Sequence, residues 1–288
     1  MGKNLTVFEP RQEMRSRDFE IQHKRDVYLK NVELHHHDFY EIYLLESGDV
    51  NYVIEGKRYR LVPGDLLLIS PRELHQVSIQ PDREAYERYV LWIDRAMIQR
   101  LSTPVTDLEQ GLNPLRAGYS NLLRLTPDQR IPLCNLMETI WQEWNSDAFG
   151  SSLLREGLIT QLLVQINRLA LTEREPPESF VHSSEMVASL VEYVNQHYRE
   201  KMTLDALAER FFVSKYHLSH EFQRQMGTGV YRYIQKKRLQ IARGLLAGGE
   251  HPSSVSTSCG FGDYAGFYRA FLAEYGLTPR EFARQVRG

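Results

Sequence analysis

The sequence predicts a two-domain α+β protein, in which a small β-barrel or sandwich and two helices precede an all-α domain. The chain has 288 residues, enough for two domains that each bury a core. Short β-rich runs separated by turn residues fill the stretch from about 27 to 94, and the apolar residues then recur every three or four positions. No apolar run approaches the roughly 20 residues that cross a membrane.

The strands of the first domain come from runs that alternate with turns. The run NYVIEGKRYRLV predicts a hairpin around residues 55–57, because Gly56 can adopt the positive φ of a tight turn. Residues 63–65, Pro-Gly-Asp, predict a second turn before the buried strand LLLI. The runs HQVSI and RYVLWID add two more strands. Short strands at this close spacing predict an antiparallel barrel or sandwich.

Helical periodicity begins after the strands. Apolar residues at helical spacing over 128–146 and 152–171 predict two amphipathic helices. Residues 173–183 are charged and polar and include two consecutive prolines, so they predict a linker between a first domain over 1–172 and a second over 184–288. In the second domain we predict a bundle of seven helices, near 184–198, 204–211, 215–226, 229–247, 253–258, 264–275 and 279–286.

Charge is unevenly distributed along the chain. The net charge of −2 divides into −6 before residue 180 and +4 after it. The basic second half suggests nucleic acid as a partner, although charge alone is a weak signal. The two cysteines, Cys134 and Cys259, are far apart and predict no disulfide framework. Because the N-terminus also has no signal-peptide pattern, we expect a cytoplasmic protein that does not contact membranes.

Two segments of the basic half resemble each other. The segments LDALAERFFVSKYHLSHEFQRQMG and SSVSTSCGFGDYAGFYRAFLAEYG each predict a short helix, a tight turn and a longer helix that ends at Gly. Two such helix-turn-helix units, joined by the predicted helix over 229–247, can meet successive major grooves on one face of DNA.

These segments are similar to the paired DNA-binding units of the AraC/XylS family of bacterial transcription regulators. The spacing GFxD…FxRxF…GxTPxxF is the most specific part of the match. A helical bundle with a solvated basic face accounts for the apolar positions but not for the duplicated pattern. The matching residues are Leu204, Leu207, Ala208, Ser214, Leu218, Phe222 and Gly227 in the first unit and Gly260, Phe261, Asp263, Phe267, Arg269, Phe271, Gly276, Thr278, Pro279 and Phe282 in the second.

The resemblance implies that the second helix of each unit contacts DNA. Arg269 can contact a guanine edge in bidentate fashion, whereas Lys215 and the run 236–238 are expected to contact phosphates. The implied DNA-binding residues are Lys215, Tyr216, Ser219, His220, Lys236, Lys237, Arg238, Tyr264, Ala265, Tyr268 and Arg269.

The second unit departs from the family pattern in its first helix. That helix reads PSSVSTS, with Pro252 at a usually aliphatic position and Ser256 at a usual alanine. Because Ser, Thr and Val are weak helix formers, we expect a marginal second unit that becomes fully ordered only on DNA.

The acidic half contains the stretch ELHHHDFYEIYLLESG, with three consecutive histidines. On an extended strand His35, His37 and Glu41 share a face, and His36 is expected to point to solvent on the other side. The pattern His-x-His-x3-Glu-x6-Gly resembles the first metal motif of cupin barrels, and PGD…Pxxx-His75 resembles the second. The resemblance therefore implies a cupin-like β-barrel for the first domain.

The residues leave the use of this barrel open. Three imidazoles and one carboxylate are a ligand set for iron, manganese, nickel or zinc. AraC-type ligand-binding domains are cupin-like and many work without metal, so the favoured interpretation has no cofactor and a polar effector pocket. Hydrogen bonding at the barrel rim is a third alternative. The effector pocket would be formed by His35, His37, Glu41, Tyr43 and His75, and the metal site by His35, His37, Glu41 and His75.

We interpret the sequence as an effector-responsive, sequence-specific DNA-binding transcription regulator, not an enzyme, that activates a metabolic operon. The expected partners are double-stranded DNA, a small-molecule effector such as a sugar, RNA polymerase and a second copy of the chain. The helices at 128–146 and 152–171 are the expected dimer contact, although their apolar stripe could equally cover the barrel. Repression, a metal-dependent cupin enzyme fused to a DNA-binding module, and a constitutive DNA-binding protein with a dimerisation-only barrel are the alternatives.

Overall fold

The computed structural model describes residues 12–27, 31–79, 85–172 and 184–287. These residues form two compact units, the first extending through residue 172 and the second starting at residue 184. The linker predicted at 173–183 lies outside the described residues. Each unit has hydrophobic clusters of its own.

The strands of the first unit form two antiparallel sheets. They are β1 (Phe19–Asp26), β2 (Asn31–His35), β3 (Tyr40–Ser47), β4 (Val50–Ile54), β5 (Lys57–Leu61), β6 (Leu66–Ile69), β7 (His75–Ile79), β8 (Tyr86–Ile93) and β9 (Leu122–Leu123). The larger sheet has the order β1-β8-β3-β6-β9 and the smaller the order β2-β7-β4-β5. The hairpin turn between β4 and β5 has positive φ at Glu55 and Gly56. The expected barrel or sandwich is confirmed as two sheets in a cupin-like arrangement.

Strand alternation separates the barrel interior from the outer face of the larger sheet. On β3, Tyr43 and Leu45 belong to the interior cluster, which draws residues from both sheets. Ile42 and Leu44 point the other way, into a cluster shared with helices. Glu41 has the parity of Tyr43 and therefore faces the interior.

The outer face of the larger sheet is covered by helices. The first unit contains α1 (Arg95–Leu101), α2 (Pro127–Trp144) and α3 (Ser151–Leu171). The apolar stripes of α2 and α3 are buried in the same cluster as that face of the sheet, as Ile140 and Ile166 illustrate. Of the two roles expected for this stripe, covering the barrel is the one observed.

Sequence patterns did not predict β1 or α1. The run FEIQHKRD of β1 is polar at most positions, so it has no clear apolar alternation. Its pairing is nevertheless regular, because β1 is in register with β8 from Phe19 to Asp26. Lys24 lies directly opposite Arg88 in this register.

The second unit consists of the seven predicted helices, with ends within one residue of the predicted ones. They are α4 (Glu185–His197), α5 (Leu204–Arg210), α6 (Lys215–Met226), α7 (Val230–Ala247), α8 (Pro252–Ser258), α9 (Tyr264–Tyr275) and α10 (Pro279–Arg287). In the part of the chain that the structure describes, no helix is long and apolar enough to cross a bilayer.

Candidate functional site

Three polar side chains converge in the interior of the first unit. His37 follows β2, Glu41 lies on β3, and His75 begins β7. One ligand atom from each lies within 4.8 Å of the others, and all three residues are buried. The structure therefore brings together residues that are up to 38 positions apart in the sequence.

Backbone carbonyls orient the two imidazoles of this group. His37 Nδ1 lies 2.9 Å from the carbonyl of Phe39, and His75 Nδ1 lies 2.8 Å from that of Glu73. Because a carbonyl only accepts, each Nδ1 carries a proton, so in the neutral form of either ring Nε2 has a lone pair. Both Nε2 atoms are buried without a hydrogen-bond partner. They can accept a hydrogen bond from a ligand hydroxyl or bind a metal ion.

Glu41 is held as a carboxylate. Trp92 Nε1 donates a hydrogen bond to Glu41 Oε2 at 2.8 Å, and His37 Nε2 lies 3.5 Å from the same oxygen. Burial by itself raises the pKa of Glu41, but His37, His75 and Trp92 outweigh it and lower the pKa to about 2. Burial and the neighbouring His37 lower the pKa of His75 to about 4. The group thus combines one carboxylate anion with two imidazoles.

Two of the three consecutive histidines behave differently from expectation. The ring of His35 lies 4.1 Å from that of His75, yet His35 does not join the close group of ligand atoms. Burial and the adjacent imidazoles lower its pKa well below the ordinary value. The expectation that His36 is exposed is wrong, because its side chain is buried. Strand β2 ends at His35 after a register shift, so strict alternation does not extend to His36.

The polar interior extends beyond the residues that the sequence indicated. Tyr43, an expected effector-binding residue, donates a hydrogen bond from its hydroxyl to that of Tyr86 at 3.0 Å. Tyr52 is buried beside Tyr43, with 5.1 Å between ring centroids. Arg88 lies over the Tyr86 ring at 4.0 Å and forms a buried ion pair with Asp26. Sequence reasoning missed these residues because only the sheet register places them beside Tyr43.

The second unit repeats a helix-turn-helix motif. In the first turn Val213 N–H donates to the Ala208 carbonyl, and in the second Phe261 N–H donates to the Ser256 carbonyl. Asp263 caps α9 with a 2.6 Å hydrogen bond from the backbone N–H of Gly266. The repeated turn contacts confirm the duplication inferred from the sequence.

The second helix of each unit presents the expected DNA-facing side chains. On α6, Lys215, Tyr216 and His220 are exposed and Ser219 is half-buried, and the rings of Tyr216 and His220 stack. On α9, all four expected residues, Tyr264, Ala265, Tyr268 and Arg269, are exposed. The Lys215 ammonium lies 2.7 Å from the Asp205 carboxylate. Within the part of the chain that the structure describes, Arg269 has no ion-pair partner.

The basic run on α7 corrects one expectation. Lys236 is buried, and its ammonium lies 2.6 Å from Glu274, so it cannot reach a phosphate in this structure. Arg238 donates to the backbone carbonyls of Tyr198 and Glu200 at 2.8 and 2.7 Å. Lys237 is half-buried. The consecutive basic residues predicted a surface patch that contacts phosphates. In the structure Lys236 and Arg238 instead bind other segments of the second unit.

A model of a known protein family matches the sequence of each unit. The model of the AraC-like ligand binding domain matches residues 22–163, which include most of the strands and the polar interior. The model of a helix-turn-helix domain matches residues 207–285, which include α6 and α9.

Individual proteins resemble the whole chain. The HTH-type transcriptional activator RhaS of Salmonella schwarzengrund is 28% identical over 254 residues, covering 88% of this chain and 87% of that protein. RhaS of Salmonella arizonae is 29% identical over 258 residues with the same coverage. The structure of ToxT from Vibrio cholerae with bound unsaturated fatty acid covers 94% of this chain and 97% of its own, at 12% identity and a TM-score of 0.41.

These relatives are transcription regulators and not enzymes, in agreement with the interpretation of the sequence. The two matched models account for both the polar β domain and the paired helix-turn-helix units. The chain therefore belongs to the AraC family and is a DNA-binding transcription regulator with an N-terminal effector-binding domain.

Proposed function

We propose that the protein activates transcription of a metabolic operon in response to a small hydroxyl-bearing effector that binds inside the barrel. The observation that carries this proposal is the buried polar group around His37, Glu41 and His75, whose free Nε2 atoms point to a ligand. The Salmonella relatives are transcriptional activators, which supports activation. A sugar or sugar derivative suits a pocket rich in hydrogen-bonding groups.

An effector alters DNA binding only through a difference in affinity. It must bind one arrangement of the chain more tightly than another, since equal affinity for both would shift no population. Activation further requires RNA polymerase as a partner, and a regulator of this kind works in the cytoplasm, where the DNA is.

Genome-wide mapping of bound DNA tests the proposal. We expect a small number of sites upstream of genes for uptake or breakdown of one class of metabolite. Purified protein should bind these sites more tightly than random DNA at every salt concentration of a series, because phosphate contacts alone give salt-sensitive non-specific binding. Binding without sequence preference would contradict the proposal.

A metal ion is the second candidate occupant of the barrel. The donor set fits a metal ion. The buried Nε2 atoms of His37 and His75 have no hydrogen-bond partner, and one ligand atom of each histidine and of the Glu41 carboxylate lies within 4.8 Å of the others. Those residues would hold the ion, and an ion there would organise the hydroxyl groups of an effector. His35, from the neighbouring position, is the fourth expected ligand.

A second copy of the chain is the proposed oligomeric partner. The buried stripe of α2 and α3 is used within the chain, but Leu153 and Leu154 at the start of α3 are exposed. Apolar side chains adjacent on an exposed helix end suit a small contact between copies. Sedimentation of the wild type and of Leu153→Lys tests this contact. A wild type that is monomeric with and without DNA would contradict it.

A further inference from the structure

Two cationic side chains, Lys24 and Arg88, lie at one end of the barrel interior. A neutral, sugar-like effector does not explain their presence there. Lys24 on β1 lies directly opposite Arg88 on β8. Side chains in such cross-strand pairs are close together, and like charges directly opposite each other are destabilising. Asp26 already pairs with Arg88, so Lys24 is the cation of this pair that a bound anion would compensate.

Strand parity places both cations on the interior side. Ile21 lies in the cluster shared with the helices, and the His23 ring contacts Trp141 of α2, so the odd positions of β1 face outward. Lys24 therefore faces inward, together with Asp26, which is paired with Arg88. Arg88 in turn shares the face of Tyr86, whose hydroxyl accepts a hydrogen bond from Tyr43.

The nearby acids are engaged by other groups. Asp26 pairs with Arg88, and a carboxylate oxygen of Glu20 accepts a hydrogen bond from the backbone N–H of Ser16. Glu41 is bound by Trp92. Within residues 12–27, 31–79, 85–172 and 184–287, no carboxylate lies within ion-pair distance of the Lys24 ammonium. Burial and then the Arg88 guanidinium lower the pKa of Lys24, while the carboxylates of Glu41 and Asp26 act in the opposite direction; a bound anion would add to the effect of these carboxylates.

We propose that Lys24 and Arg88 form an anion subsite, so that the effector is a small hydroxylated carboxylic acid of the sugar-acid class. Lys24, Arg88 and Asp26 together have a net charge of +1, and Glu41 is the other carboxylate whose charge acts on Lys24. The other end offers hydroxyl-binding groups, namely the Nε2 lone pairs of His37 and His75. Arg88 and Trp92 are four residues apart on β8, so about 13 Å separates their Cα atoms.

This inference rests on the proposed function, but the chemical class of the effector can be tested separately from it. The probes are matched pairs on one carbon skeleton: glucose with gluconate and glucuronate, galactose with galactonate and galacturonate, and the corresponding sugar phosphates. Calorimetric titration of the full chain with each probe measures affinity. We expect at least one sugar acid to bind about tenfold or more tightly than its neutral partner.

Variants of one strand identify the subsite. Lys24→Met removes the charge and keeps the stem of a half-buried side chain, and we expect it to weaken acid binding about tenfold with little effect on neutral sugars. Lys24→Arg should retain the preference. Arg25→Met is the matched control, because Arg25 is exposed on the opposite face of β1. Thermal unfolding of each variant checks that the fold is intact.

Four results would overturn the inference: no binding by any sugar acid, equal binding of acids and neutral sugars, tighter binding of phosphates, or an unchanged acid affinity in Lys24→Met. DNA binding is measured in parallel on the mapped sites. If a neutral sugar alters DNA binding, the proposed function is supported and the anion subsite is contradicted. If the protein shows no sequence preference for DNA, the proposed function fails whichever probes bind.

Discussion

Trp92 and Glu41 are cross-strand neighbours on β8 and β3, and the indole N–H of Trp92 donates a 2.8 Å hydrogen bond to the Glu41 carboxylate. We expect Trp92→Phe to lower the free energy of unfolding by about 2 kcal/mol, because a hydrogen bond to a buried charged group is lost. Denaturant titration measures this change. In a Glu41→Gln background the same substitution should cost less, and an equal cost in both backgrounds would mean that the indole contributes only packing.

The close group of His37, Glu41 and His75 predicts metal uptake if a metal is the occupant. Dialysis of the purified protein against zinc or cobalt, followed by elemental analysis, should then give about one ion per chain. His75→Ala should remove most of the bound metal, because it deletes one free Nε2. His23→Ala is the control, since His23 belongs to a separate group with Glu46 and Glu87. A wild type that retains no metal would leave the effector pocket as the sole use of these residues.

Arg269 is exposed on α9, where the resemblance to the family predicts a contact with a base edge. We expect Arg269→Ala to weaken binding to a mapped site by about 1–3 kcal/mol and to relax specificity at one base pair. Fluorescence anisotropy on matched and substituted sites measures both effects. Lys236→Met is the contrasting variant, because Lys236 pairs with Glu274 in the core of the second unit. It should lower stability and leave the salt dependence of DNA binding unchanged.

Gly260 occupies the turn of the second helix-turn-helix unit under two constraints. Its φ is +77°, and an added Cβ would lie 2.6 Å from the carbonyl oxygen of Arg199. We expect Gly260→Ala to lower the free energy of unfolding by about 2–4 kcal/mol, because backbone strain and a clash with rigid backbone add together. Gly262→Ala is the control, since a Cβ there meets open space. Equal thermal stability of the two variants would contradict the prediction.

Cys259 reports on the order of α8 in the free protein. Its side chain is fully buried, and burial raises the pKa of its thiol to about 11, so alkylation requires local opening. If the second unit is marginal, as its weak helix formers suggest, DNA should slow alkylation of Cys259 by about fivefold or more. Mass spectrometry of alkylated peptides gives the rates, with half-buried Cys134 as the internal control. A rate that DNA leaves unchanged would show that α8 is already ordered without it.

Local signals were sufficient for the helical half of the fold. The caps Ser214 and Asp263 and the closing glycines Gly227 and Gly276 mark helix ends in the sequence itself, and the observed ends follow them. The polar run of β1 carried no such signal. Its identity as a strand depends on pairing with β8, which is a non-local contact.

The sequence by itself determined the family, the helix boundaries, and the candidates His37, Glu41 and His75, because motif spacing and periodicity are local properties of the chain. The tertiary structure alone decided which candidates meet. In the folded chain His75 lies beside His37, His36 and Lys236 are buried, and Lys24 lies opposite Arg88. The physical reason is that register and burial depend on contacts between segments far apart in the chain, which no local pattern encodes.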